Sequence, residues 1–139
     1  MIKLIKIKLI KNGDDIVVKK QNNYTTLMNL ILGLYILNIL RHEPAYGNKL
    51  TLEIKRRTGG AYTPNTNALY PLLRLMEERG YITGQWDSPV TRGKRIFTIT
   101  AAGIARIPDL EIMLQDRIEE VERKMQILKS DLLGLCKEK

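Results

Sequence analysis

The sequence predicts a mainly α fold of the α+β class: three short helices, a two-stranded ribbon, then one long helix. Three observations predict it. Apolar residues recur at helical spacing in three segments separated by the Pro- and Gly-bearing breaks "EPAYG" and "TGG". Two β-prone runs, "YITGQW" and "RIFTIT", then flank the polar connector "DSPVTRGK". Beyond them an apolar seam of nearly heptad period runs almost to the C-terminus.

Taken in order, residues 4–11 and 16–20 have strand-like composition around "NGDD", and Asn-Gly tolerates the positive φ of a tight hairpin turn. Read as a helix, the apolar residues at 2, 4, 5, 7, 9 and 10 scatter around the wheel, so no membrane-binding face forms. Residues 1–22 are therefore expected to be an extra β-hairpin. An isolated two-stranded hairpin is marginal in water, so its apolar face should dock on the domain or on a partner. A cleavable leader would need a longer unbroken apolar core.

The run "LMNLILGLYILNIL", interrupted by Asn29 and Asn38, is too short to span a bilayer and reads as a buried helix from about Thr26 to His42, with Thr25 or Thr26 as N-cap. A second helix is predicted from Tyr46 to Arg57, closed at "TGG" by a left-handed turn. A third is predicted with Thr63 as N-cap and Pro64 as its first residue, running to about Arg79 and ending at Gly80. After the ribbon, Thr100 can cap a short helix that Pro108 should break or kink. Three helices followed by a ribbon is the element order of a winged helix-turn-helix, placed at residues 23–105 with a C-terminal dimerisation helix at 106–139.

Composition narrows the function. Apolar residues make up 44% of the 139, enough for one core. The single cysteine, Cys136, excludes an internal disulfide, and with one histidine, His42, no multi-ligand metal site is expected. Cys136 reads as a spectator thiol and His42 as a loop or capping residue. No phosphate-cradling glycine loop and no Ser/His/Asp set is present, so neither an enzyme nor a cofactor is expected. The net charge of +8 is unevenly spread. Residues 1–108 hold seventeen Lys and Arg against seven Asp and Glu, whereas residues 109–139 hold six against eight. The basic portion suits a polyanion and the tail does not.

On a wheel of the third helix, Ala68, Leu69, Leu72, Leu73 and Met76 gather on one side, with Leu75 at its edge. Asn67, Tyr70, Arg74 and Glu78 take the other. Asn can pair with adenine and Arg with guanine, while Tyr and Arg also hold phosphate. In the connector, "TRGKR" places Arg92, Lys94 and Arg95 around a glycine at a projecting loop, where cation density favours phosphate. Double-stranded DNA is the expected partner.

The residues also resemble a known family. "AYGNKL", "TGGAYTPNTNALYPLLRLMEERGYI" and "GKRIFTITAAG" are similar to PadR-type transcriptional regulators, with Tyr46-Gly47, Leu69-Tyr70-Pro71, Glu77, Gly80, Thr100 and Gly103 in matching order. Asn67-Ala68 stand where the family usually has Gly-Thr, and Leu75 where it usually has Arg, so no operator sequence carries over. The resemblance implies a homodimeric DNA-binding regulator, usually a repressor, in the cytoplasm, with Tyr46 and Tyr70 near the DNA backbone. The residues expected at DNA are Tyr46, Asn48, Lys49, Thr63, Asn65, Thr66, Asn67, Tyr70, Arg74, Arg92, Lys94 and Arg95.

Ile107, Leu110, Leu114, Ile118, Val121, Met125, Leu128, Leu132 and Leu135 form the C-terminal seam, after one early stutter. An 80-residue domain cannot hide so long a stripe, so Leu110 to Leu132 are expected to meet a second copy. The family often carries a ligand sensor, and Trp86 with this seam could line an apolar effector pocket. The competing reading, from a different class, is a winged-helix module that docks proteins without touching DNA.

Overall fold

Four helices and three short strands are present in a computed structural model, which describes residues 23–88, 90 and 93–134. The expected N-terminal hairpin, Arg92 and Cys136 lie outside the described residues. Helix α1 spans Asn23–Leu40 and is buried on nearly every side, through Leu30, Leu32, Leu34, Ile36, Leu37, Ile39 and Leu40. A helix apolar all round belongs in a core, as expected of this run. Helix α2, Gly47–Arg57, adds Leu50 and Ile54, and α3, Thr66–Glu78, adds Leu69, Leu72, Leu73 and Met76. Each fully buried aliphatic side chain contributes about 1.5–3 kcal/mol, so this shared core dominates stability.

Glycines stop the two middle helices where the sequence places them. Gly59 N–H bonds to the Arg56 carbonyl at 3.2 Å and Gly60 N–H to the Lys55 carbonyl at 2.8 Å, with Gly59 at φ +61°. Gly80, at φ +82°, and Tyr81 repeat the motif on Glu77 and Met76. Both are Schellman turns, whose left-handed residue glycine adopts without strain.

The start of α3 differs from expectation. Its N-cap is Asn65, not Thr63: the Asn65 side chain accepts the Ala68 N–H at 2.9 Å. Pro64 is buried ahead of the helix rather than serving as its first residue. Pro64 turns its ring into the core instead of opening the helix, and the Asn65 oxygen one residue later satisfies an orphan donor of the first turn. Ala68, grouped above with the apolar face, is exposed in this first turn.

The sheet has three strands rather than two. Strands β2 (Ile82–Trp86) and β3 (Arg95–Ile99) form the expected ribbon, and β1, Ala45–Tyr46, pairs antiparallel with β3 through Ala45↔Phe97 and Tyr46↔Ile96. Two residues show no periodicity, so β1 was not legible within "EPAYG". Its consequence is positional: it brings Tyr46 beside the ribbon.

Helix α4 runs from Ala101 to Leu133 without interruption, so Pro108 does not break it. The carbonyl that proline leaves without a donor belongs to Ile104, and both residues are exposed, so water can satisfy it. On the opposite face Ile107 and Leu110 are anchored in the core, which holds the helix across the proline. The boundary drawn at 105/106 thus falls inside α4, and Leu110, expected at a dimer seam, is 0% exposed within its own chain. Among the described residues, no helix is long and apolar enough to cross a membrane.

Thr100 joins the ribbon to α4. Its hydroxyl accepts the Gly103 N–H at 3.1 Å and donates to the Gly80 carbonyl at 2.6 Å, while its N–H bonds to the Tyr81 carbonyl at 3.1 Å. A Cβ on Gly103 would lie 2.2 Å from the Tyr81 oxygen, a backbone atom that cannot swing aside. The Thr-x-x-Gly spacing follows from this junction. Gly103→Ala is expected to cost about 1–3 kcal/mol through overpacking, read as a lower urea midpoint at unchanged slope.

Candidate nucleic-acid interface

Tyr46 ends β1 and precedes α2 in extended conformation, and Gly47 opens that helix against the ring of Tyr70 from α3. A Cβ on Gly47 would lie 2.5 Å from the Tyr70 hydroxyl and 2.9 Å from two ring carbons. The Tyr-Gly pair and the Leu-Tyr-Pro element are therefore one contact seen from two sides. Pro71 continues α3 in spite of its missing N–H, and the Asn67 carbonyl it frees lies on the exposed side.

Between α3 and the ribbon lies an open cleft of about 490 Å³. Tyr70, Leu73, Arg74 and Glu77 form its α3 wall, and Trp86, Gly93, Lys94, Arg95 and Phe97 its ribbon wall, with Tyr46, Gly47 and Asn48 at one end. Of the twelve residues expected at DNA, the cleft brings together Tyr46, Asn48, Tyr70, Arg74, Lys94 and Arg95. Asn65, Thr66 and Asn67 stand exposed at the start of α3, and Thr63 is exposed in the loop before it. Lys49 is exposed on α2 and bonds to Glu43 at 2.9 Å, a partner that raises the pKa of its ammonium and keeps it charged. No α4 residue lines the cleft, so Trp86 and the C-terminal seam do not share a pocket there.

The two ribbon cations differ in role. The Lys94 side chain is exposed, and its Nζ lies 5.4 Å from the Tyr46 ring centroid. The Lys94 carbonyl accepts the Asp87 N–H at 2.7 Å, which closes the base of the connecting loop. Arg95, grouped with the tip cations in the sequence, instead turns inward from the start of β3. Its two terminal nitrogens donate to the Glu77 carboxylate at 3.1 and 2.7 Å, and one also donates to the Gly84 carbonyl at 2.6 Å. The guanidinium carbon sits 5.5 Å from the Trp86 ring centroid and 5.7 Å from that of Phe97. Glu77 matched the family pattern, but its partner was not legible, because eighteen residues separate it from Arg95.

A third group of cations closes α2. Arg56 and Arg57 both bond to Glu53, and these hydrogen bonds hold its carboxyl at about 2, below the usual carboxylate range. With Lys55 beside them, that end of α2 keeps a net positive charge in spite of Glu53.

A helix–helix–helix–ribbon unit that exposes Asn67, Tyr70 and Arg74 beside a lysine-bearing ribbon is a winged helix-turn-helix. The chain belongs to the transcriptional regulator PadR-like family, whose model matches residues 36–109. It is 29% identical over 103 residues to the transcriptional regulator YqjI of Escherichia coli, covering 74% of this chain and 45% of that relative. The chain thus spans under half the length of that relative. Among solved structures it is similar to a PadR family transcriptional regulator from Eggerthella lenta, at 26% identity and TM-score 0.55, over 68% of this chain and 80% of that one. It is also similar to Bacillus subtilis PadR solved in complex with operator DNA, at 26% identity and TM-score 0.52, over 59% of this chain and 47% of that one. The family and these relatives are transcriptional regulators rather than enzymes.

Because the atoms nearest a Gly47 Cβ belong to the end of one side chain, Gly47→Ala should displace Tyr70 rather than unfold α2. The expected cost is about 1 kcal/mol by thermal melting, together with a clear shift of the Tyr70 ring resonances in NMR spectra.

Proposed function

We propose that this chain binds double-stranded DNA as a homodimeric, sequence-reading regulator, with α3 in the major groove and the wing on the backbone or the adjoining minor groove. One observation carries the reading: the exposed Arg74 and Tyr70 of α3 and the exposed Lys94 of the wing line a single cleft. A guanidinium and a phenol on a helix face suit base edges and phosphates, while a lysine on a projecting ribbon suits phosphate alone. The net charge of +8 attracts a polyanion at long range. The Bacillus subtilis relative solved with operator DNA supports the same reading. Repression as the sense of regulation, and the cytoplasm as its place, follow the family resemblance.

The dimer is proposed through the far half of α4. There the seam leaves the core, with Met125 at 52%, Leu128 at 49% and Leu132 at 74% exposure, while Ile118 and Val121 are half-buried. An apolar stripe left in water on a helix of this length is covered economically by its two-fold copy. Two readers would then face the same side of a duplex about one helical turn apart.

Three outcomes are expected. Affinity for random-sequence duplex DNA falls steeply across a salt series, whereas no binding at low salt would leave the protein-docking module as the function. Arg74→Ala relaxes base preference, while Lys94→Ala weakens all sequences alike and lowers the salt slope by about one. Equal, sequence-blind losses from both would overturn that division of roles. Finally, Leu128→Lys with Leu132→Lys gives a monomer by analytical ultracentrifugation, and a dimer that persists would rule out the distal seam.

A further inference from the structure

The ribbon leaves the core at Gly84 and Phe97, which face each other in register. Below that point Ile82 and Phe97 are buried; beyond it Gln85, Trp86 and Lys94 are exposed. Hydrogen bonds of the β2–β3 ladder hold the two strands to each other but do not fix the angle at which the pair stands away from α3. At this exit lies the Glu77 carboxylate. One of its oxygens accepts from Arg95 at 3.1 Å; the other accepts from Arg95 at 2.7 Å and from the Gly84 N–H at 3.2 Å. Arg95 also bonds the Gly84 carbonyl, so a single carboxylate is tied to β2 and β3 from the last turn of α3.

The fit is close. A Cβ on Gly84 would come within 2.8 Å of an Arg95 terminal nitrogen and 2.9 Å of its guanidinium carbon. The Nε of Arg95 is buried, and no hydrogen-bond partner for it is present among the described residues. An arginine spent in this way differs from the exposed Lys94 one residue earlier. A planar, bidentate pair fixes orientation as well as distance, which a lysine in the same place would not do.

We propose that Glu77 and Arg95 are a positioning pair for DNA binding: they set the wing against α3 so that Lys94 and the face of α3 engage one duplex together. This rests on the DNA reading above. It makes Arg95 a brace rather than a phosphate ligand, and gives an acidic residue on the cleft wall a favourable part in binding a polyanion.

That last point reverses the sign of a simple electrostatic expectation. Neutralising an acid beside bound DNA would ordinarily tighten binding. As a positioning residue, Glu77→Gln instead weakens it, by roughly tenfold in the full-length protein with random-sequence duplex DNA at fixed salt, the size of loss that follows from misplacing contacts of the wing. The chain has a single tryptophan, Trp86, and it borders Arg95, so intrinsic fluorescence reports the brace in the free protein without DNA. A shift in Trp86 emission is expected in Glu77→Gln with far-UV circular dichroism unchanged.

Should Glu77→Gln not fold, Arg95→Lys carries the same test. It keeps the charge but cannot bridge both carboxylate oxygens and Gly84, so a similar loss and emission shift are expected. Parental or tighter DNA binding by the folded variant overturns the proposal. Failure of the parent protein to bind duplex at low salt overturns the DNA reading itself. In that case unchanged Trp86 emission in the variant overturns the brace as well, and a shifted emission retains it as a wing-positioning contact.

Discussion

The near-complete burial of α1 is the constraint from which the rest of the architecture follows. Helices α2, α3 and α4 and strand β3 all pack against it, and among the described residues it keeps a half-buried stripe through Leu27, Ile31, Tyr35 and Asn38. Each neighbour spends one apolar face on α1 and keeps one face for water. The surfaces proposed for function are outer ones: the polar side of α3, the exposed end of the ribbon, and the part of α4 that has run past the core.

Three close approaches then convert the packed helices into a shaped surface. The Tyr70 ring closes on the start of α2, the Arg95 guanidinium closes on β2, and the first turn of α4 closes on the Tyr81 carbonyl. Each is possible only because the facing residue, Gly47, Gly84 or Gly103, lacks a side chain. The spaced pattern of Tyr, Gly, Glu and Thr in the sequence thus has a steric origin. Its members meet in pairs from different elements: the Tyr70 and Arg95 contacts border the cleft, and the Gly103 contact fixes α4 to the ribbon.

Elements defined by local chemistry were legible in the sequence. The apolar run of α1, the glycine stops at Gly59 and Gly80, the Thr100 cap and the outward face of α3 all follow from nearest-neighbour rules. What was not legible depended on tertiary contact. Strand β1 exists because β3 is there to pair with it. The cap of α3 moved from Thr63 to Asn65 because Pro64 is buried ahead of the helix. Pro108 is expected to break or kink α4, and the helix is not broken there, because core anchors at Ile107 and Leu110 outweigh one missing hydrogen bond. Arg95 looked like a loop cation, and only its distant partner Glu77 turned it inward. The same contact separates Arg95 from Lys94, which adjacency in sequence had joined.

The junction at Thr100 has a mechanical consequence. One residue separates the last strand of the wing from a 33-residue helix, and that residue is bonded on both sides. At about 1.5 Å per residue the helix is a rod roughly 50 Å long, fixed to the reading head without a slack linker. In the proposed dimer, a change of a few degrees in how two such rods cross would be geared into a displacement of the two heads by several ångströms. The spacing of the heads would then be governed from the far end of α4, remote from any base they read.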